Sequence, residues 1–224
     1  LGKIAQGDGT GCSNVCSSHL CFDTNFVCIT PTAEKRAQGN GLACASSCPN
    51  DKCYNPNFLC VTPSAGVLGQ GNGNACLAEC ENNKCYDTNF ICISPTASKI
   101  APGNGSACTT TCANNKCFDT NFVCVTPSAT NIAPGDGGAC SASCANNKCF
   151  DTDFICITPI ATKIARGDGS ACSATCANDK CLDTNFVCIT PTTNKVGHGD
   201  GSACSASCPN EKCLDSDFVC VTPS

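Results

Sequence analysis

The chain has 224 residues, a net charge of −5, 14 % charged residues, and neither tryptophan nor methionine. Cysteine accounts for 28 positions and aromatics for only 5 %, which excludes one large apolar core and favours many small cores held by covalent staples. No basic stripe is present to displace counterions from nucleic acid, and Cys, Asn, Thr or Pro interrupts every apolar run short of a membrane span, so neither partner is expected.

Cysteine at this density points to an oxidising compartment, and the expected location is secreted, extracellular or at the cell surface. The chain opens Leu-Gly-Lys-Ile with no recognisable signal peptide, as expected of a mature product or a piece of something longer.

A single pattern, C-x3-C-x4-C-x6-C, recurs every 32 residues without insertion or deletion. Its members are Cys12, Cys16, Cys21 and Cys28; Cys44, Cys48, Cys53 and Cys60; Cys76, Cys80, Cys85 and Cys92; Cys108, Cys112, Cys117 and Cys124; Cys140, Cys144, Cys149 and Cys156; Cys172, Cys176, Cys181 and Cys188; and Cys204, Cys208, Cys213 and Cys220. The repeats are therefore assigned as 1–32, 33–64, 65–96, 97–128, 129–160, 161–192 and 193–224. Beads on flexible linkers tolerate gains and losses of linker residues at little entropic cost. A period that holds through the connectors predicts consecutive modules in contact with one repeated geometry. The expected fold is a small disulfide-rich tandem repeat: short β-strands and turns, at most short helical turns, stacked as an elongated solenoid-like rod.

Within a module, each connector carries one aliphatic residue suited to packing: Ile4, Val67, Ile100, Ile132, Ile164 or Val196, with Arg36 breaking the pattern in the second. Next comes Gly-Asp/Asn-Gly, as at Gly7-Asp8-Gly9, a tight turn because both residue types accept positive φ. The segment between the first two cysteines, such as Cys108 to Cys112, places them four apart, and at most one helical turn is expected there, with the two cysteines facing separate partners. Then follows Cys-[Phe/Tyr/Leu]-[Asp/Asn]…Phe-x-Cys. The run Phe122-Val123-Cys124-Val125-Thr126 predicts a strand, with Phe122 and its equivalents as the largest core residue of each module. A Thr/Ser-Pro pair ends the strand and stiffens the connector.

Four cysteines per module allow three internal pairings, and spacing does not choose among them. Zinc is the competing reading, but the C-x2-C knuckle that zinc sites favour is absent. Fourteen disulfides are expected. Calcium needs six or more oxygens, several of them charged. Asp and Asn alternate at the glycine turn, and Asn55 stands where Asp23, Asp87, Asp119, Asp151, Asp183 and Asp215 stand elsewhere, so turn-capping is the better reading. The Cys-x-Asp-Thr…Phe-x-Cys element, as in Cys21-Phe22-Asp23-Thr24 and Phe26-Val27-Cys28, resembles part of an EGF-type module, whose corresponding stretch is two residues longer. Such a module has six cysteines against four here, so the resemblance implies neither its calcium site nor receptor binding.

His19 and His198 occupy unrelated module positions, and no G-x-S-x-G or H-E-x-x-H occurs, so the chain is expected not to be an enzyme and to need no cofactor or metal. Asn104-Gly105-Ser106 is the single N-linked sequon. Thr30, Thr32, Thr62, Ser64, Ser94, Thr96, Thr126, Ser128, Thr158, Thr190, Thr192, Thr222 and Ser224 flank the repeated prolines, a context for O-linked sugar. The expected function is structural: a disulfide-stabilised, O-glycosylated filament or surface or matrix fibre whose copies associate end to end. A multivalent glycan- or surface-binding adhesion protein is the alternative, drawing avidity from seven similar faces.

Overall fold

The computed structural model describes residues 2–223. Among them there is no helix, and the regular structure is seven antiparallel hairpins of two-residue strands. In chain order these are β1–β2 (Cys21–Phe22, Cys28–Ile29), β3–β4 (Cys53–Tyr54, Cys60–Val61), β5–β6 (Cys85–Tyr86, Cys92–Ile93), β7–β8 (Cys117–Phe118, Cys124–Val125), β9–β10 (Cys149–Phe150, Cys156–Ile157), β11–β12 (Cys181–Leu182, Cys188–Ile189) and β13–β14 (Cys213–Leu214, Cys220–Val221). The chain divides into two compact units, Leu1–Thr110 with Asn121–Val123, and Thr111–Thr120 with Cys124–Ser224. The same local plan recurs in each.

An aspartate builds the hairpin. Asp23 Oδ1 accepts the N–H groups of Asn25 (2.9 Å) and Val27 (3.2 Å), while the Asp23 carbonyl accepts the Phe26 N–H at 3.0 Å. Asn55 does the same with Asn57 and Leu59, because only one side-chain oxygen is needed. The loop then closes through a left-handed residue, the geometry of a three-residue hairpin loop, and that residue is the repeated phenylalanine, with φ between 57° and 60° in every repeat.

The phenylalanine is thus neither in a strand nor the main core residue. The expected strand over 122–126 narrows to Cys124–Val125, and Phe26 is 49 % exposed. A left-handed conformation costs a non-glycine residue about 1–2 kcal/mol. Ring contact offsets part of this: Phe26 stacks on Phe22 with centroids 5.8 Å apart, and Phe90 on Tyr86 at 5.8 Å.

The core of a repeat is instead one aliphatic residue packed on the disulfide between the second and fourth cysteines. Ile132 with Cys144 and Cys156, and Ile164 with Cys176 and Cys188, form such clusters. In the third repeat the aliphatic residue is Leu68, 2 % exposed, where Val67 was expected; Val67 lies one position earlier, in the register of Lys35 and Lys99. The aliphatic residue sits in a short extended segment that pairs on both sides. Ile4 exchanges hydrogen bonds with Ser13 at 2.8 and 3.0 Å, while Ala5 bonds Phe26 and Cys28 at 2.9 Å. Ile100 and Thr109 repeat the exchange at 2.7 and 2.9 Å, so the residue after the first cysteine joins a ladder, which leaves no helical turn there, within the expected limit of at most one. A turn from Thr32 to Lys35, with mutual backbone bonds of 2.8 and 3.1 Å, feeds the chain into this segment.

Arg36 replaces the aliphatic residue in the second repeat. Its guanidinium lies 4.3 Å from the Tyr54 ring centre, and its Nε is buried without a hydrogen-bond partner. An unsatisfied buried donor costs about 1–3 kcal/mol, against about 0.5–1 kcal/mol gained over the ring. Arg36→Ile is therefore expected to stabilise the chain by about 1 kcal/mol, read as a higher chemical-denaturation midpoint; a lower midpoint refutes the balance.

Candidate functional site at the repeat junction

Disulfide pairing departs from the expectation of purely internal bonds. The second and fourth cysteines pair within a repeat, as in Cys16–Cys28 and Cys144–Cys156, with a sequence separation of 12. The third cysteine pairs forward with the first cysteine of the next repeat, as in Cys21–Cys44, Cys53–Cys76 and Cys85–Cys108 in one unit, and Cys117–Cys140, Cys149–Cys172 and Cys181–Cys204 in the other. Each of these six bonds spans 23 residues with a Cα–Cα distance of 4.9 Å. The forward pairing leaves Cys12 and Cys213 as exposed free thiols, so among the described residues thirteen of the fourteen expected bonds are present.

Backbone bonds reinforce this link. The Phe22 N–H donates to Leu42 O at 3.1 Å, Cys44 N–H to Phe22 O at 3.0 Å, and Cys16 N–H to Gly41 O at 2.9 Å. In the second unit Phe150 bonds Ser170 and Cys172 in the same way, at 3.2 and 2.9 Å. The second glycine of Gly-Asp/Asn-Gly faces the preceding repeat. A Cβ on Gly169 would stand 2.0 Å from the Cys144 carbonyl oxygen, and one on Gly73 1.9 Å from that of Cys48. Only glycine allows this approach, and its φ of +71° in both cases favours the same residue.

The residue between the glycines caps its own turn. Asn72, Asn104, Asp136 and Asp200 all use Oδ1 to accept the N–H two residues on, at 2.9–3.2 Å. Asp and Asn interchange because one neutral or charged oxygen suffices. At Asp8 the Thr10 hydroxyl also donates, at 2.6 Å, and with the Thr10 N–H it holds the carboxyl below its ordinary value of 3.8. Thr10→Ala is expected to return the Asp8 pKa towards 3.8 in an NMR titration. The lowered pKa means that this local stabilisation is present above the unfolded value and lost as pH falls through the folded one. An unchanged titration in the variant contradicts the assignment.

A groove recurs beside the junction. In the first unit Tyr86, Asp87 and Phe90 of one repeat face Lys99, Ala107 and Thr109 of the next across about 350 Å³. In the second, Phe150, Asp151 and Phe154 face Lys163, Ala171 and Ser173 across about 410 Å³. The lysine was not singled out in the sequence, although its 32-residue recurrence at Lys3, Lys35, Lys99, Lys163 and Lys195 is visible there.

The proline-flanking residues do not line this groove, although Thr32 and Thr96 exchange backbone bonds with its Lys35 and Lys99. Thr30, Thr62, Ser94, Thr126, Thr158, Thr190 and Thr222 are exposed, as are Thr32, Ser64, Thr96 and Thr192, whereas Ser128 is half-buried. Asn104 is exposed at its turn, and Ser224 lies outside the described residues. No group of three or more His, Cys, Asp or Glu side chains able to hold a metal occurs among the described residues. No helix there is long and apolar enough to cross a membrane.

Comparison with protein-family models, curated proteins and solved structures finds no match. What is established is an architecture: a tandem series of small disulfide-bonded β-hairpin repeats, cysteine-rich and repetitive, consistent with a structural or repeat-domain protein.

Proposed function

We propose that the chain is a non-catalytic structural protein of the extracellular space, forming or extending a disulfide-stabilised fibre of a surface, wall or matrix. The carrying observation is the forward disulfide, which ties each repeat to the next with one Cα–Cα distance in six instances. One geometric step applied repeatedly would give the proposed solenoid-like rod. A compartment oxidising enough to form thirteen bonds supports secretion. The exposed threonines and serines beside proline are the proposed O-glycan acceptors, and a sugar coat would keep a weakly charged rod soluble. Neither His19, which is exposed, nor His198, whose Nε2 lies 2.8 Å from the Ser205 hydroxyl, supplies a repeated base.

Electron micrographs of the oxidised chain test this reading. Straight particles of uniform length are expected; beads at variable angles refute it. Intact mass of the native protein tests the sugar, since a mass equal to that of the polypeptide removes glycosylation from the proposal.

The recurring groove favours a second reading, multivalent binding of a glycan or surface. Its half-exposed phenylalanine and facing lysine and aspartate repeat at each junction where the groove forms. Glycan-array signal rising steeply with repeat number would support it, and a flat response would refute it.

A further inference from the structure

We propose that Cys213 of one copy and Cys12 of a second copy form a disulfide, so that the junction between copies reproduces the junction between repeats. The inference rests on the structural reading above and names the site of end-to-end association. Cys12 holds the repeat position of Cys44, Cys140 and Cys172, and Cys213 that of Cys21, Cys117 and Cys149; in the interior these positions always pair with one another. Cys21, Cys53, Cys85, Cys117, Cys149 and Cys181 are fully buried, whereas Cys12 and Cys213 are the two exposed free thiols.

The surfaces around the two thiols are complementary in the same sense. Leu182 on β11 donates its N–H to Ser202 O and accepts from Cys204 N–H, both at 2.9 Å. Leu214 on β13 stands in the same register, is 46 % exposed, and has neither bond among the described residues. Its missing partners are the repeat equivalents of those two groups, Thr10 O and Cys12 N–H, in the first repeat. Cys208 N–H and Gly9 O match in the same way the bond from Cys144 N–H to Gly169 O, at 2.9 Å.

Steric fit adds an independent observation. A Cβ on Gly41, Gly73, Gly137 or Gly169 would press within 1.9–2.0 Å of a preceding carbonyl oxygen, yet one on Gly9 would meet nothing within 4 Å. Gly9 leaves open the space that the Cys208 carbonyl would fill. Ala5 is exposed, while Ala37, Ala133 and Ala165 at its position are completely buried. Gly197, also at that position, shows what covers it: a would-be Cβ there meets Pro191 Cγ at 3.0 Å and Cys181 Cβ at 3.8 Å from the preceding repeat, with Val219 Cγ2 of its own repeat at 3.7 Å. Charge matches as well. Lys35 shares a groove with Asp23, and Lys163 with Asp151, so Lys3 of one copy would meet Asp215 of the other.

The bond forms by exchange with a low-molecular-weight disulfide. The Cys213 thiolate attacks one sulfur of that disulfide, releasing a small thiol and leaving a mixed disulfide on Cys213. The Cys12 thiolate of the second copy then attacks the Cys213 sulfur and releases the second small thiol. Two protein thiols are oxidised, one small disulfide is reduced to two thiols, and the two protons leave with them.

The test uses the full chain with its internal bonds intact, incubated with oxidised glutathione and read by non-reducing electrophoresis and mass spectrometry. The unsubstituted chain should give a ladder at whole multiples of its mass. Cys12→Ser alone and Cys213→Ser alone should each remain monomeric. Their equimolar mixture should give a dimer and nothing larger, with the peptide of Cys12 linked to that of Cys213. Gly9→Ala, with both thiols present, should slow the ladder at least tenfold. Dimerisation of either single cysteine variant alone, an unsubstituted chain that stays monomeric, or a Gly9→Ala ladder at the original rate overturns the proposal. Straight uniform monomers without a ladder would defeat the junction and leave the structural reading standing. A ladder of jointed, variable particles would defeat that reading and leave the junction.

Discussion

Joint replacement of Cys144 and Cys156 by alanine is expected to cost about 3–5 kcal/mol locally and to unfold the fifth repeat first. A disulfide closing a loop of this size contributes about 3 kcal/mol by restricting the unfolded chain. Here it is also the packing surface, since Ile132 is buried against these two half-cystines and Phe150. Burying one isoleucine is worth about 1.5–3 kcal/mol, too little to hold an irregular repeat without its staple. Hydrogen exchange read by mass spectrometry should show lost protection at Ile132, Ser141 and Cys156, whose N–H groups are all bonded within the repeat. Unchanged protection would mean that the junctions alone carry the repeat.

Gly169→Ala should destabilise the chain by about 3 kcal/mol, the sum of two effects. Its φ of +71° costs alanine about 1–2 kcal/mol, and the new methyl would sit 2.0 Å from the Cys144 carbonyl oxygen, a backbone atom that cannot rotate away. Relief requires the two repeats to separate, which strains the Cys149–Cys172 bond and breaks the Cys144 N–H to Gly169 O bond of 2.9 Å. Gly9→Ala is the control: its φ is +77°, but nothing lies within 4 Å, so only the backbone cost of about 1–2 kcal/mol should appear. Equal losses in the two variants, measured by chemical denaturation, would show that φ alone selects glycine here and that the close approach is unimportant.

Both predictions depend on contacts that recur every 32 residues but join different parts of the period. That distinction separates what was legible in the sequence from what was not. Repetition, the small stapled core, the turn at Gly-Asp/Asn-Gly and the exposed Thr-Pro corners all follow from composition and local chemistry. They depend on properties of a few adjacent residues: permitted φ, a short side-chain acceptor, a missing N–H. The interchange of Asp and Asn at positions 8, 40, 55 and 72 was readable in the same way, because a single oxygen meets the need.

Pairing partners were decided only by tertiary structure. Four cysteines in a period look like a closed set, and nothing local reveals that the third reaches into the next period. That choice follows from where the hairpin places Cys149, on the outer edge beside the incoming Ala171 and Cys172. The phenylalanine misled for a related reason. Its neighbours have strand composition, but closing the hairpin in so few residues forces a left-handed step at that position, and the ring turns outward to meet its partner on the facing strand. After the first cysteine, where the sequence left room for at most one helical turn, a ladder with the connector forms instead, an interaction across nine residues that satisfies both backbones at once. Sequence alone determined that this protein is a staple-held repeat with turns at set places. Tertiary structure decided that the staples run between repeats as well as within them, because disulfide partners depend on which backbone edges meet in space.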